Sequence, residues 1–324
     1  MNNPDNMPID IPEQRDWINS YKAEKELSWT QLASLCDIAS GTLSTFGGGT
    51  YAGRNDKIAR EVFKFRQTLY AKAERSEGLA VAPGYFETQT SKRLIGLLTI
   101  AHLGRITIGA MGPGTGKTIT AREYQASNSS CWMATMKEST RSPNAMISRV
   151  LRAVGAPKTT GWGAQLSDYV AEQVRGKNGL LIIDEANHLT LQSLEEIRAW
   201  HDETGVGICL LGNEELLLRI RGGARRDAFG RLNSRIAESH IQNVSVPDDV
   251  DAFCDAWGLT APAMRNMLMK IAQSPGSGGL RECRQIVERA SMLAADDDRA
   301  LTFADLRDAQ STRASNWVKT EEAR

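Results

Sequence analysis

The segment AMGPGTGKTIT (110–120) limits what this chain can fold into more than any other, because three alternating glycines run directly into GKT. A loop that cradles phosphates needs glycines so that successive backbone N–H groups can converge on one anion. It also needs a lysine that reaches the outer phosphates and a hydroxyl that ligates magnesium. Gly112, Pro113, Gly114, Thr115, Gly116, Lys117 and Thr118 supply that set, between the strand-like RITIGAM (105–111) and the helix-like TITAREYQA. The sequence therefore predicts a nucleotide site at the carboxyl end of a strand. It departs from the usual GxxxxGK[ST] spacing in one place, where Met111 stands for the first glycine. Either Met111 takes backbone angles usually given to glycine, or the entry to the loop differs.

A second element, LLIIDEANHL (180–189), places two adjacent carboxylates after four apolar residues. At the end of a buried strand Asp184 can hold the water shell of magnesium beside Thr118, and Glu185 can orient an attacking water. Two acids in this place could instead cap the next helix, LQSLEEIRAW; their spacing from the phosphate loop favours the magnesium role. A later strand ends in LLGNEE, and Asn213 is expected between the first and third strands, near the outermost phosphate, although such an asparagine is commonly a turn residue. From Arg219 to Arg235, in LRIRGGARRDAFGRLNSRI, six arginines face one acid. That imbalance calls for an anion, either nucleic acid or the nucleotide of a neighbouring subunit. An arginine delivered in trans to the γ-phosphate is worth roughly 10³–10⁵ in rate, and Arg235 is the first choice for it, Arg231 the second. Arg281 opens LRECRQIVERA after a glycine-rich turn, where it can touch the phosphates from a helical lid.

The apolar runs RITIGAM, SCWMATM (130–136), GLLIIDE (179–185), VGICLLG (206–212) and HIQNVSV (240–246) alternate with helical patterns. Such alternation describes βαβ units and a buried parallel sheet. From Pro247 onward only helices are expected: DVDAFCDAWGL, APAMRNMLMKIAQ, GLRECRQIVERASMLA and TFADLRDAQ. The expected organisation is a small all-α helix-turn-helix domain over 1–76, a linker over 77–90, an α/β nucleotide-binding core over 91–246 and an all-helical lid over 247–324. Lys plus Arg equals Asp plus Glu, so only local charge asymmetry can point to nucleic acid. Five scattered cysteines with no CxxC pair argue against a disulfide framework and a structural zinc site, and so for a cytoplasmic setting. The polar start MNNPDNMPIDIPEQRD and the absence of an eighteen-residue apolar run argue against secretion and membrane insertion.

WTQLASLCDIASGTLSTF (29–46) fits two short helices around a tight turn, with Ala33 at the close approach and Leu32, Cys36, Ile38, Leu43 and Phe46 facing inward. Asp37 stands where glycine is usual, and aspartate visits the left-handed region more readily than most residues. The second helix would expose Ser40, Thr42, Ser44 and Thr45 to DNA, without the Arg, Asn or Gln that read base edges. Sequence-specific recognition is thus poorly supported, and a three-helix core with no DNA role is the alternative. From Arg54 to Arg75 seven basic residues face three acids. Lys57, Arg60 and Lys64 fall at helical spacing and can follow a phosphate backbone, with an affinity of about 10⁻⁴–10⁻⁶ M per module that multivalency would raise.

The ordered set GKT, DE, Asn, an arginine before the fifth strand and a lid arginine resembles the AAA+ ATPases over about 91–324. YFETQT, GKTITAREY, IIDEANHL, LLGN and RLNSRIAE further resemble the B transposition protein family of bacteriophage Mu and Mu-like prophages, over nearly the whole chain. The resemblance implies ATP and Mg2+ as cofactors, ATP hydrolysis stimulated by DNA, and ATP-dependent homo-oligomers, a helical filament or ring, on double-stranded DNA. It further implies capture of target DNA for a transposase, stimulation of strand transfer, and hydrolysis that clears the protein from DNA. In such an assembly Lys137 and Arg141, after the second strand, could line a central DNA path. Two other readings fit the same fold: a replicative helicase loader, and a transcription regulator switched by nucleotide.

Overall fold

Short runs of apolar residues with no polar alternation must be covered on both faces, which a parallel sheet flanked by helices achieves. In the structure, a computed structural model describing residues 9–76, 82–157, 160–222 and 229–321, these runs form one sheet. Its strands are β1 (Ile106–Met111), β2 (Cys131–Thr135), β3 (Leu180–Asp184), β4 (Gly207–Gly212) and β5 (Ile236–Gln242), ordered β2-β3-β4-β1-β5 and all parallel. The chain divides into two compact units, Met1–Leu79 and Ala80–Arg324.

In the first unit α1 (Ile11–Glu24), α2 (Trp29–Cys36), α3 (Ser40–Gly47) and α4 (Asn55–Ser76) share a core of Ile18, Leu32, Ala33, Leu43, Phe46, Ala59 and Val62. A capping box between Ser28 and Gln31 starts α2, each satisfying a backbone N–H of the other. Asp37 ends it in the left-handed region, at φ 53° and ψ 39°. That turn sends the chain into α3, so Asp37 does here what glycine usually does.

In the second unit the strands alternate strictly. Leu181, Ile183, Ile208 and Leu210 face a core built with α7 (Pro143–Ala153), α8 (Gly163–Val174), α9 (Leu191–Thr204), α10 (Glu214–Arg221) and the short α11 (Gly230–Asn233). Leu180, Ile182, Cys209 and Leu211 face the opposite core, closed by α5 (Gln89–His102) and α6 (Lys117–Ser127). A period of two within a run this short leaves no polar face, so both layers of helices are required. The helices α12 (Pro247–Ala256), α13 (Pro262–Gln273), α14 (Gly279–Asp296) and α15 (Phe303–Glu321) enclose a third cluster around Phe253, Cys254, Leu268, Cys283, Ile286, Val287 and Leu306. This is the parallel α/β AAA+ fold with its helical lid.

The fifth strand corrects the sequence expectation. It covers IAESHIQ rather than HIQNVSV, beginning directly after Arg235, and it pairs on one side only, with β1. An edge strand tolerates charged and polar residues on its open face, so an apolar run does not mark it. No helix among the described residues is long and apolar enough to cross a membrane. All five cysteines are buried and unbridged, and burial pushes the Cys209 thiol up to about 12.

Candidate nucleotide site and nucleic-acid surfaces

Residues 112–118 leave the carboxyl end of β1 and wrap the start of α6. Gly114 and Gly116 have φ of +69° and +92°, a region open to glycine at little cost. Gly116 caps α6 without a side-chain hydrogen bond, so the first N–H groups of the helix stay available to an anion. Close packing adds a second demand for glycine: a Cβ at Gly112 would lie 2.0 Å from the Asn243 carbonyl oxygen, and one at Gly114 would lie 1.7 Å from that of Gly278. Thr115 is buried and donates to the Gly112 carbonyl at 2.9 Å, tightening the loop from within. Met111 does not take glycine angles. It ends β1 in extended backbone, fully buried, and the Gly112 N–H donates to the Gln242 carbonyl at 2.8 Å, so the loop enters from the sheet itself.

Lys117 Nζ donates to the carbonyls of Met111 at 2.6 Å and Gly112 at 3.1 Å. Burial lowers its pKa and the Glu185 and Asp184 carboxylates oppose that, while the Arg281 guanidinium adds to it. The Thr118 hydroxyl donates to Asp184 Oδ2 at 3.1 Å, and Asp184 is 1% exposed. Burial raises the Asp184 pKa, against the Thr118 hydrogen bond, and its Oδ1 is buried with no hydrogen-bond partner. An orphaned carboxylate oxygen beside a threonine hydroxyl fits Mg2+. No group of three or more His, Cys, Asp or Glu is arranged to hold a metal among the described residues. Magnesium would therefore depend on Asp184, Thr118, water and phosphate oxygens.

Glu185 follows in the left-handed region at φ 54°, an angle that costs a non-glycine residue about 1 kcal/mol or more. That turn brings Glu185 to the wall of a cavity of about 580 Å³ shared with residues 111–120, Asn213 and Arg281. Asn213 lies at the end of β4, between β1 and β3, and its Oδ1 is buried without a partner. Arg281 is in the first turn of α14, whose Leu280 N–H donates to the Gly114 carbonyl at 3.2 Å. The lid thus closes directly on the phosphate loop.

Residues 82–86 and Thr88, expected as part of a linker, wall this cavity; residues 77–81 of that segment lie outside the described residues. Phe86 meets Phe253 edge-on at 6.3 Å, and Phe253 meets Trp257 at 5.7 Å, giving the cavity an apolar end suited to a nucleobase. Tyr85 lines it too, with a buried hydroxyl that has no partner. Sequence reasoning missed Tyr85, Phe86, Phe253, Trp257 and Arg284. For Tyr85 and Phe86 the one signal is aromatic residues in a segment otherwise rich in Gly, Pro and Thr; Phe253, Trp257 and Arg284 belong to the lid and carry no such signal.

Arg235 lies outside the cavity, at the other end of the sheet. It pairs with Asp202 of α9, Nε to Oδ1 at 3.2 Å, immediately before β5. Arg231 is exposed on α11, whereas Arg219 donates to the carbonyls of Asn187 and Leu189 at 2.7 and 2.8 Å and is spent on holding that loop. Arg225 and Arg226 of the same cluster lie outside the described residues.

Of the DNA candidates, Lys57 and Lys64 are exposed and Arg60 half-buried on α4, with Lys64 3.4 Å from Glu61. Of the four α3 hydroxyls expected to face DNA only that of Thr45 belongs to an exposed residue; Ser40, Thr42 and Ser44 are half-buried. The Thr45 hydroxyl donates to the Gly41 carbonyl at 2.8 Å and that of Ser44 does so at 3.2 Å, so both turn back on their own helix. Lys137 is exposed after β2, and Arg141 is held by Glu138 at 2.6 Å.

Residues 112–220 match the family described as AAA domain, which supports a capacity to bind and hydrolyse ATP, and residues 234–312 match the family described as Mu B transposition protein, C terminal. The chain is 32% identical over 290 residues to the ATP-dependent target DNA activator B of Escherichia phage Mu, covering 88% of this chain and 90% of that protein. The protein of the same name from Escherichia phage D108 matches at the same identity and coverage. The Mu-like prophage FluMu DNA transposition protein B of Haemophilus influenzae is 30% identical over 269 residues, 82% of this chain and 91% of that one. With the phosphate loop, the strand-end acids and the lid in one AAA+ frame, this chain belongs to the Mu B transposition protein family.

Proposed function

We propose that this protein is an ATP-dependent activator of target DNA, which assembles on duplex DNA with ATP bound and delivers it to a transposase. The observation that carries the reading is a nucleotide cavity walled by both core and lid, with the lid helix bonded to the phosphate loop through Leu280 and Gly114. Occupancy of such a cavity fixes the lid against the core, and so fixes the surface offered to another copy.

Within the site, the α6 N-terminus and Lys117 hold the phosphates, and Lys117 must exchange its two carbonyl partners for phosphate oxygens. Asp184 and Thr118 hold Mg2+, which when bound neutralises charge that develops on the phosphate oxygens. Glu185 orients the attacking water, Asn213 senses the outermost phosphate, and Arg281 contacts the phosphates from the lid. Arg235 serves a different copy. It precedes the start of β5 while the loop follows the end of β1, a separation of about 20 Å along six residues of strand, so its own nucleotide is out of reach.

Contacts with DNA come from Lys57, Arg60 and Lys64 in the first unit and from Lys137 and Arg141 after β2. They are contacts to phosphate and hence largely blind to sequence. The inward hydroxyls of α3 support that reading against an operator-specific regulator. Hydrolysis, stimulated by DNA, then drives disassembly. Electron microscopy of the protein on linear duplex tests the reading: filaments or rings are expected with ATP and Mg2+, and none with Lys117→Ala. Equal coating of DNA without nucleotide, or a monomer with ATP and DNA at low salt, would overturn it.

A further inference from the structure

Several arginines on this surface are paired with carboxylates: Arg198 meets Glu195 and Asp202, Arg265 meets Asp251 and Asp255, and Arg299 meets Asp297 and Asp305. One cleft gathers three that are not. Between α6, the carboxyl end of β2 and α7 lies a hollow of about 290 Å³ walled by Arg122, Arg149 and Arg152, with Gln125 and Thr135 beside them and no carboxylate in the wall. Among the described residues none of the three guanidinium groups makes an ion pair; Arg149 Nε donates to the Thr135 carbonyl at 3.2 Å, which ties its guanidinium to the end of β2 in the wall of the cleft.

The placement follows from helical spacing. Thr118, Arg122 and Gln125 recur at four and three residues and share a face of α6, and Arg149 and Arg152, three apart, share a face of α7. Three uncompensated guanidinium forks around one concave space match the donor geometry that phosphate oxygens accept, often in bidentate fashion. Arg122 also lines the nucleotide cavity, and the Thr135 hydroxyl lies 3.5 Å from Asp184 Oδ2. A phosphate in the cleft would therefore stand one side chain from the nucleotide and its metal.

We propose that this cleft is a phosphate-binding site that takes a backbone phosphate of duplex DNA, at the edge of the sheet next to the nucleotide. The assignment rests on the DNA-binding function proposed above and names the contact by which a bound duplex acts on the ATP site.

The test is the salt dependence of binding to a fluorescent duplex, measured by anisotropy with ATP and Mg2+, for wild type, Arg152→Ala and Arg152→Lys. Each phosphate neutralised contributes about 0.9 to the slope of log affinity against log salt. Arg152→Ala is expected to lower the slope by about that amount and to raise the duplex concentration needed to stimulate ATP hydrolysis, while Arg152→Lys retains the slope. Thermal melting of each variant with ATP checks the fold. Should wild type bind duplex with the same slope as Arg152→Ala, the cleft assignment falls and the general function stands. Should wild type fail to bind duplex at all, the function itself falls. Inorganic phosphate supplies the remaining arm: stabilisation of wild type but not of Arg152→Ala, with coincident salt slopes, would make the cleft a site for free phosphate and overturn the duplex assignment.

Discussion

Thr118 donates its hydroxyl to Asp184 Oδ2 at 3.1 Å, which ties the phosphate loop to the end of β3 and leaves Asp184 Oδ1 buried without a partner. A carboxylate in that position is poorly solvated and half satisfied. Burial raises its pKa, and the unpartnered oxygen is where the proposed Mg2+ would bind.

A stability consequence follows with a definite sign. An acid whose folded pKa is raised keeps its proton where the unfolded chain, at about 3.9, has already released it. Stability therefore declines as pH climbs through that window, and at neutral pH the nucleotide-free protein carries the whole cost. Asp184→Asn removes the charge while leaving an acceptor for Thr118. Without nucleotide this variant is expected to melt about 2–4 °C higher at pH 7, the shift that about 1 kcal/mol gives in a domain of this size. The gain should shrink as pH is lowered toward the ordinary carboxylate range, and Mg2+-dependent ATP hydrolysis should be lost. Calorimetry across pH checks this, and a lower melting temperature at pH 7 would contradict it.

Lys117 Nζ donates to two loop carbonyls, those of Met111 and Gly112, so its side chain braces the loop from within. Lys117→Ala removes a charge-assisted contact with phosphate worth about 1.5–3 kcal/mol. Affinity for a fluorescent ATP analogue should fall by roughly 10–100-fold. Retention of wild-type affinity would detach the lysine from the phosphates.

Much of this site is legible in the sequence because its parts are local: seven consecutive residues make the loop, and Asp184 and Glu185 end an apolar run. Asp37 was legible for the same reason, since one backbone angle decides it. What escaped depends on tertiary proximity. Phe86 and Phe253 meet across 167 positions of sequence, and Arg122 faces Arg149 and Arg152 only because α6 and α7 flank β2. The start of β5 escaped because an edge strand carries no continuous apolar signal.

The contact of lid and loop makes Gly114 a sensitive position. Alanine there would need φ near +69° and would thrust its Cβ to 1.7 Å from the Gly278 carbonyl oxygen. Backbone faces backbone, so the lid must withdraw. Gly114→Ala is expected to break the Leu280 to Gly114 hydrogen bond, expose the segment 274–279 to protease and weaken ATP binding by at least tenfold, the equivalent of about 1.4 kcal/mol. Limited proteolysis with and without ATP distinguishes a withdrawn lid from a collapsed core. An unchanged digestion pattern would mean that the lid does not close on the loop.

Arg235 is engaged by Asp202, and in the proposed assembly it would have to let go to reach a neighbour's γ-phosphate. Exposed pairs of this kind are worth about 0–1 kcal/mol, so the exchange would cost little. Asp202→Ala should therefore leave ATP hydrolysis on DNA unchanged or up to about fivefold faster, that being the rate equivalent of 1 kcal/mol. Arg235→Ala should lose roughly 10³-fold or more. Mixing decides whether the arginine works between copies. Arg235→Ala subunits retain a complete nucleotide cavity, and Lys117→Ala subunits retain the arginine, so co-assembly of two inactive variants should restore hydrolysis at their mixed junctions. Since Lys117→Ala must enter the assembly with little nucleotide of its own, the mixture is titrated with Arg235→Ala in excess and its rate compared with the sum of the separate rates. A rate equal to that sum at every ratio, in mixtures shown to co-assemble by cross-linking, would remove Arg235 from the shared site and pass the assignment to Arg231, the second choice.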